Sequence, residues 1–264
     1  MTDTPPLLVE RRGAVETIVL NDAPRNRMSL EFMDALEAEV ERVASDASVR
    51  AVVIRGAGEE HFSVGMDLKQ LPQGIERMGS AEAVFDQRLR VLSAIENLPK
   101  PVIAVLCGYC LGGGLELPLA CHFRLAAAEG ARIGLPEMDL GAVPAWGGSA
   151  RLTRCVGRDH ALDLILRAKK ISGPEALRIG LVNEVWPIGE LFDRAQALAD
   201  ELAAMPALAV EGVLRAVVGA GEQPLEEGIA AERRAVLAMM GSDAQREGMR
   251  AFLEKRKPVF NQDS

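Results

Sequence analysis

The chain has 264 residues, 48% hydrophobic and only 4% aromatic, enough for a large and mainly aliphatic core in one domain with an appendage or in two small domains. A formal net charge of -8 argues against nucleic acid as the main partner, while leaving room for an anionic ligand held by a local cluster of Arg and Lys. No apolar run is long enough to cross a membrane, and the first residues lack a basic stretch followed by an apolar one, so neither a membrane partner nor a secretory signal is expected.

In chain order, Glu16–Leu20 reads as a strand broken by Asn21-Asp22-Ala23-Pro24. Ser29 is a suitable N-cap for a helix with Phe32, Leu36, Val40 and Val43 at helical spacing, and the acids on its other face read as a solvated surface. Val49–Ile54 is a second strand. His61–Leu68 reads as a turn into a short helix capped by Asp67. Gln70–Gly79, rich in Pro and Gly, reads as a mobile loop, and Ala81–Leu98 as a helix. Pro101–Leu106 is a buried strand, and Phe123–Ala127 and Ala131–Gly134 are short ones. Strand and helix thus alternate, which implies parallel strands joined by crossover helices. Beyond about residue 150 the chain is helical, apart from a strand at Gly180–Pro187. Three or four amphipathic helices follow between Leu191 and Lys257.

Two stretches invite chemistry. Gly112-Gly113-Gly114 follows the Pro101–Leu106 strand and opens a helix-like segment that begins with Leu115-Glu116. Three glycines cost backbone entropy unless the chain must bend or be approached closely. Such a turn also offers free amides at the positive end of a helix dipole, with the Glu116 carboxyl beside them. The second stretch is Gly134-Leu135-Pro136-Glu137, where an acid follows a strand and can point into a cleft. Donors for an oxyanion next to carboxyls that move protons suggest an active site.

These motifs resemble the crotonase, or enoyl-CoA hydratase/isomerase, superfamily. Phe62-Ser63-x-Gly65-x-Asp67-Leu68 and Gly108-Tyr109-x-Leu111-Gly112-Gly113-Gly114-x-Glu116-Leu117 are similar to its two oxyanion-hole segments. Pro136-Glu137-x-x-Leu140-Gly141 is similar to the segment bearing its second acid. Gly147-Gly148-x-x-Arg151-Leu152, Gly180-Leu181-Val182 and Phe252–Pro258 follow in order. The resemblance implies an α/β fold, a spiral of ββα units forming two roughly perpendicular sheets over residues 1–190, with a helical trimerisation region over 191–264. It also implies a homotrimer or a dimer of trimers.

The resemblance further implies an acyl-CoA substrate, coenzyme A being part of that substrate and no separate cofactor or metal being needed. The backbone amides of Met66 and Gly113 would hold the thioester oxygen; removing one such donor typically costs roughly 3–4 kcal/mol in barrier. Glu116 would activate water and Glu137 would protonate C2, in hydration of a 2-enoyl-CoA to the 3-hydroxyacyl-CoA. Val64, Asp67, Leu68 and Trp146 would contact the substrate. Arg25 and Arg27 would meet the nucleotide, as would Phe252 and Lys255 in a neighbouring subunit.

Simple isomerases of the family usually keep one acid, and dienoyl isomerases add an aspartate at the position that is Ala145 here. Isomerase or another acyl-CoA lyase of the family is the alternative. Pro118, two residues after Glu116, implies a helix that starts late or bends. His122 stands where the family has Asp and reads as structural, and Asp139 reads as a backbone cap. Cys107-Gly108-Tyr109-Cys110 also admits a redox protein, and a scaffold without activity is the remaining class. Three of the four cysteines lie in apolar contexts, which fits reduced thiols in the cytoplasm.

Overall fold

Apolar runs set the frame. The computed structural model describes residues 4–221 and 223–260. Strand β1 (Leu7–Arg12) forms a hairpin with β2 (Val15–Leu20), and β3 (Ala51–Gly56) and β4 (Val102–Leu106) extend the sheet in parallel. After β5 (Tyr109–Leu111), the chain adds β6 (Phe123–Ala127), β7 (Arg132–Gly134) and β8 (Glu184–Trp186). The main sheet has the order β1-β2-β3-β4-β6-β8, and β5 pairs with β7 in a second sheet of two parallel strands. Every residue of β4 is buried, as its unbroken apolar sequence requires. β1 was not expected: four of its six residues are exposed, so its sequence carries little apolar signal.

Helix α1 (Leu30–Ser45) starts where the cap predicts, with Ser29 Oγ accepting from the Phe32 amide. Phe32, Leu36, Val40 and Val43 are buried along it. Asp67 likewise caps a 3-10 turn, Leu68–Gln70. The mobile loop expected at Gln70–Gly79 is instead helix α2 (Leu71–Met78). Pro72 lies in its first turn, where a missing N–H costs nothing, and Gly74 packs against Leu30 of α1. Helix α3 (Ala81–Glu96) follows, capped by Ser80.

The glycine turn opens α4 (Gly113–Leu119). Beyond it lie α5 (Gly148–Val156), α6 (Arg158–Leu166) and α7 (Gly173–Arg178). Four helices end the chain: α8 (Ile188–Ala203), α9 (Ala207–Gly219), α10 (Leu225–Met239) and α11 (Asp243–Leu253). The expected break after residue 190 falls inside α8. That helix lays Leu191, Ala195, Ala199 and Ala203 against the main sheet, so the core runs on to its end. α9 and α10 pack on each other and leave apolar side chains in the open, Val217 at 68% and Leu225 at 78% exposure.

Among the described residues, no single helix is long and apolar enough to cross a membrane. α8 and α9 pass that test only as a pair bent by 108°, and α8 is spent on the sheet.

Ser29→Ala removes a cap bond and should lower stability by about 1 kcal/mol. Urea unfolding should show a lower midpoint with an unchanged slope.

Candidate active site

The site begins in the loop after β3. The buried Ser63 hydroxyl donates to the Asn26 carbonyl at 2.6 Å and accepts from the Gly65 amide at 3.0 Å. The loop is then zipped to β5, through Ser63 N to Tyr109 O and Leu111 N to Ser63 O, both 3.0 Å. Gly65 has φ +88°, and a Cβ there would come within 3.0 Å of the Gly113 nitrogen. The peptide joining Gly65 to Met66 therefore lies against the first turn of α4.

That turn is packed on both sides. A Cβ on Gly113 would strike the Trp146 ring at 2.3 Å, and one on Gly114 would strike the Ser63 carbonyl at 2.4 Å. Close approach, more than flexibility, is what these glycines supply. The Gly113 amide, at the first position of α4, is one of the donors a helix leaves over.

Pro118 neither delays α4 nor moves it off the site. The helix starts at Gly113, with Pro118 inside it. The Gly114 carbonyl, which an amide at position 118 would have bonded, accepts the Cys110 thiol at 3.2 Å. Glu116 stays directed into the site and is only 2% exposed. Its Oε1 accepts from the amides of Trp146 and Gly148, each at 2.8 Å.

Arg151, one turn into α5, holds that pair of amides. Its Nη1 donates to the Trp146 carbonyl at 2.9 Å, while Nε and Nη2 grip Glu96 Oε2 at 2.9 and 2.8 Å. Its presence in the Gly147-Gly148-x-x-Arg151 motif was visible, but this task was not. Glu96 is steadied in turn, since the His122 ring bridges its carbonyl and the Val102 amide. Burial pushes the Glu116 carboxyl up to about 7, against the lowering by the two amides and Arg151. Burial likewise raises Glu137, which opens a 3-10 turn, Glu137–Leu140, after β7. Glu137 Oε2 is buried without a partner, and a Cβ on Gly112 would lie 3.2 Å from Oε1.

Both glutamates line one cavity of about 320 Å³, together with Val64, Met66, Leu68, Gly113 and Trp146. Leu71 of α2 and Phe85 of α3 add to its wall. They were missed as individuals because α2 was read as a loop and Ala81–Leu98 only as a helix, with no face of it assigned to the site. The remaining expected residues stand apart from the cavity lining. Asp67 caps its turn and faces Arg27 at 3.6 Å. Arg27 is spent on Asp22, at 2.7 and 3.1 Å. Arg25 is exposed, and its carbonyl accepts from the Val64 amide. Phe252, 82% exposed, and Lys255 lie at the far end of the chain. Asp139 caps no helix; it pairs with Lys170 at 3.0 Å.

The C-x-x-C thiols lack the chemistry of a redox pair, which needs a thiolate. Burial pushes Cys107 up to about 11, Cys121 up to about 12 and Cys110 well above its usual value. Titration of native protein with a thiol reagent should label the half-buried Cys155 first, with the other three inert until unfolding. Two fast thiols would restore the redox reading.

The family model for enoyl-CoA hydratase/isomerase matches residues 10–263. A probable enoyl-CoA hydratase of Rhizobium meliloti (strain 1021) is 38% identical, over 96% of this chain and 97% of its own. One of Bacillus subtilis (strain 168) is 36% identical, over 93% and 95%. The crystal structure of an enoyl-CoA hydratase from Geobacillus kaustophilus HTA426 superposes with a TM-score of 0.91 at 33% identity, over 98% and 97%. A shared fold, matched end to end at this identity, settles the lineage: the chain belongs to the enoyl-CoA hydratase/isomerase family.

Proposed function

We propose that this chain is a hydro-lyase that adds water across the double bond of a 2-enoyl-CoA thioester. One observation carries the reading: two carboxyls, the buried Glu116 and the half-buried Glu137, line the same cavity as the free end of α4. Isomerisation needs one acid; a second in the same cavity favours hydration.

The thioester oxygen accepts from the amides of Met66 and Gly113. Water adds through its oxygen to C3, and Glu116 takes its proton. The electron pair moves onto the thioester oxygen as an enolate, whose charge those two amides stabilise without reorganising. Glu137 then delivers a proton to C2, and proton return from Glu116 to Glu137 resets the pair. The shared proton belongs to the pair rather than to one residue. With substrate in place, the two amides on Glu116 favour its anion, whereas Glu137 Oε2 has no partner to support a charge.

Coenzyme A enters as part of the substrate, so no separate cofactor is proposed. Arg25 and Arg27 are offered for the nucleotide. The exposed apolar faces of α9 and α10 support assembly with further copies of the chain, as a trimer or a dimer of trimers. Phe252 and Lys255 would then serve a neighbour's nucleotide site. Reduced, buried thiols support a cytoplasmic location.

Crotonyl-CoA should lose its enone absorbance when mixed with the protein. Glu116→Gln and Glu137→Gln should each cut kcat by about 10²–10⁴-fold. Wild-type activity in both variants would sink the site, and no turnover on enoyl-CoA of any chain length would sink the reaction.

The pH profile tests the pair. The Glu137 charge adds to burial at Glu116, so the last proton leaves near pH 7. The acid limb belongs to the other proton of the pair, and burial raises Glu137 above the usual carboxylate range. kcat/KM should therefore be bell-shaped, falling as pH rises through about 7 and falling again on the acid side. Arg151 lowers the Glu116 value, so Arg151→Gln should move the alkaline limb upward. A limb that stays put would deny Arg151 its hold on Glu116.

A further inference from the structure

Asn26 is wholly buried, at 0% exposure, and does not line the cavity. Yet none of its polar atoms is idle. Nδ2 donates to the His61 carbonyl at 2.8 Å and to the Ala57 carbonyl at 3.1 Å, which uses both of its protons. Oδ1 accepts from the Asp22 amide at 3.3 Å, and the Asn26 amide donates to the Asp22 carbonyl at 2.6 Å. The Asn26 carbonyl accepts from the Ser63 hydroxyl at 2.6 Å. The backbone is held at φ +48°, in the left-handed region that Asn enters more readily than most residues. One side chain thus clamps both ends of the turn that leaves β3, at Ala57 and His61, and the carbonyl of the same residue clamps the next bend at Ser63.

Those bends lead to Met66. From Phe62 to Asp67 the amides are taken up in turn: Phe62 by Cys107 O, Ser63 by Tyr109 O, Val64 by Arg25 O, Gly65 by Ser63 Oγ and Asp67 by Met28 O. In that run the Met66 amide alone has no partner among the described residues.

Its direction is fixed as well. The Met28 amide donates to the Gly65 carbonyl at 2.9 Å and the Met28 carbonyl accepts from the Asp67 amide at 3.1 Å, so Met28 and Met66 form a parallel bridge. In such a bridge, the residue bonded through its two neighbours turns its own N–H and C=O away. The peptide joining Gly65 to Met66 agrees, since a trans peptide sets its N–H opposite its C=O. The Met66 amide therefore points away from residues 26–28, and Met66 lines the cavity that holds Glu116 and Glu137.

We propose that Asn26 is the positioning residue of the oxyanion hole: by clamping Ala57, His61 and Ser63, it seats the loop against residues 26–28 so that the Met66 amide meets the thioester oxygen. The identity of that acceptor rests on the hydratase reading; the clamp and the aim of the amide do not. Misdirecting one donor raises the barrier to the enolate while the other substrate contacts stay in place, so the loss falls on kcat rather than on KM.

Two variants test it. Asn26→Gly accepts the positive φ but makes no side-chain bond, and Asn26→Asp keeps the shape while replacing the Nδ2 donor by an oxygen. With crotonyl-CoA each should lose about tenfold or more in kcat, short of the roughly 10²–10³-fold that follows outright loss of a donor, with KM held within about threefold. The second readout is the infrared carbonyl band of bound butyryl-CoA, isotope-labelled at the thioester carbonyl carbon. Two amides aimed at that oxygen weaken the C=O bond, so binding to wild type should move the band to lower frequency, and the move should be smaller in both variants. An unchanged kcat overturns the proposal, and so does a wild-type band position in the variants even when kcat falls, because Asn26 would then be structural only. If neither variant folds, hydrogen exchange in the wild type decides. The Asn26 side-chain protons and the amides of Gly65 and Asp67 should exchange slowly, and the Met66 amide fast until butyryl-CoA binds. Fast Asn26 protons, or a Met66 amide protected without ligand, overturns the proposal. Failure of the wild type to hydrate crotonyl-CoA rejects the hydratase reading and leaves the band of the unreactive butyryl-CoA to judge the clamp.

Discussion

The structure turns on one carboxyl oxygen. Glu116 Oε1 draws in the amides of Trp146 and Gly148, and so ties α4 to the start of α5. Burying an acid this deep is costly unless its lone pairs are met. Two amides at 2.8 Å meet them, and the dipole of α5 adds a favourable field. Arg151 and Glu96 fix the turn from behind, and His122 fixes the strand to the helix that carries Glu96. The carboxyl stays poised between charged and neutral near pH 7 because burial outweighs these supports.

The same economy governs the glycine turn. Ser63, Gly114 and Trp146 leave no room for side chains around Gly113, which brings two loop segments distant in sequence into register. Pro118 would be a defect in most helices. Here the carbonyl it strands is met by Cys110, and that gives the second thiol of the C-x-x-C a structural task.

Legibility followed chemistry more than geometry. Glu116, Glu137 and the glycine turn at Gly113 could be picked out because their residue types and spacing are constrained by what they sit beside, whereas Met66 came only with the family resemblance. The cap at Ser29 and the parallel strands were legible because local rules and periodicity dictate them. α2 was not, since Pro72 and Gly74 look like breakers until one knows that the first falls in an opening turn and the second beneath Leu30. β1 was hidden by its polar edge. Nothing in the local sequence separates Arg88 from the exposed Arg90 two residues on, because burial is decided by the helices that close over α3.

The unpartnered faces of α9 and α10 bear on how copies of the chain meet. The core sheet is closed once α8 lies across it, and that packing needs no surface beyond Ala203. What emerges afterwards is an apolar hairpin tethered close to the sheet, where the Arg50 guanidinium holds the Met205 carbonyl at 2.7 Å. A folded single chain therefore carries an adhesive face. Its net charge of -8 is a long-range safeguard that slows encounters between copies. Ionic strength shortens the reach of that repulsion and so exposes the face to contact with other copies.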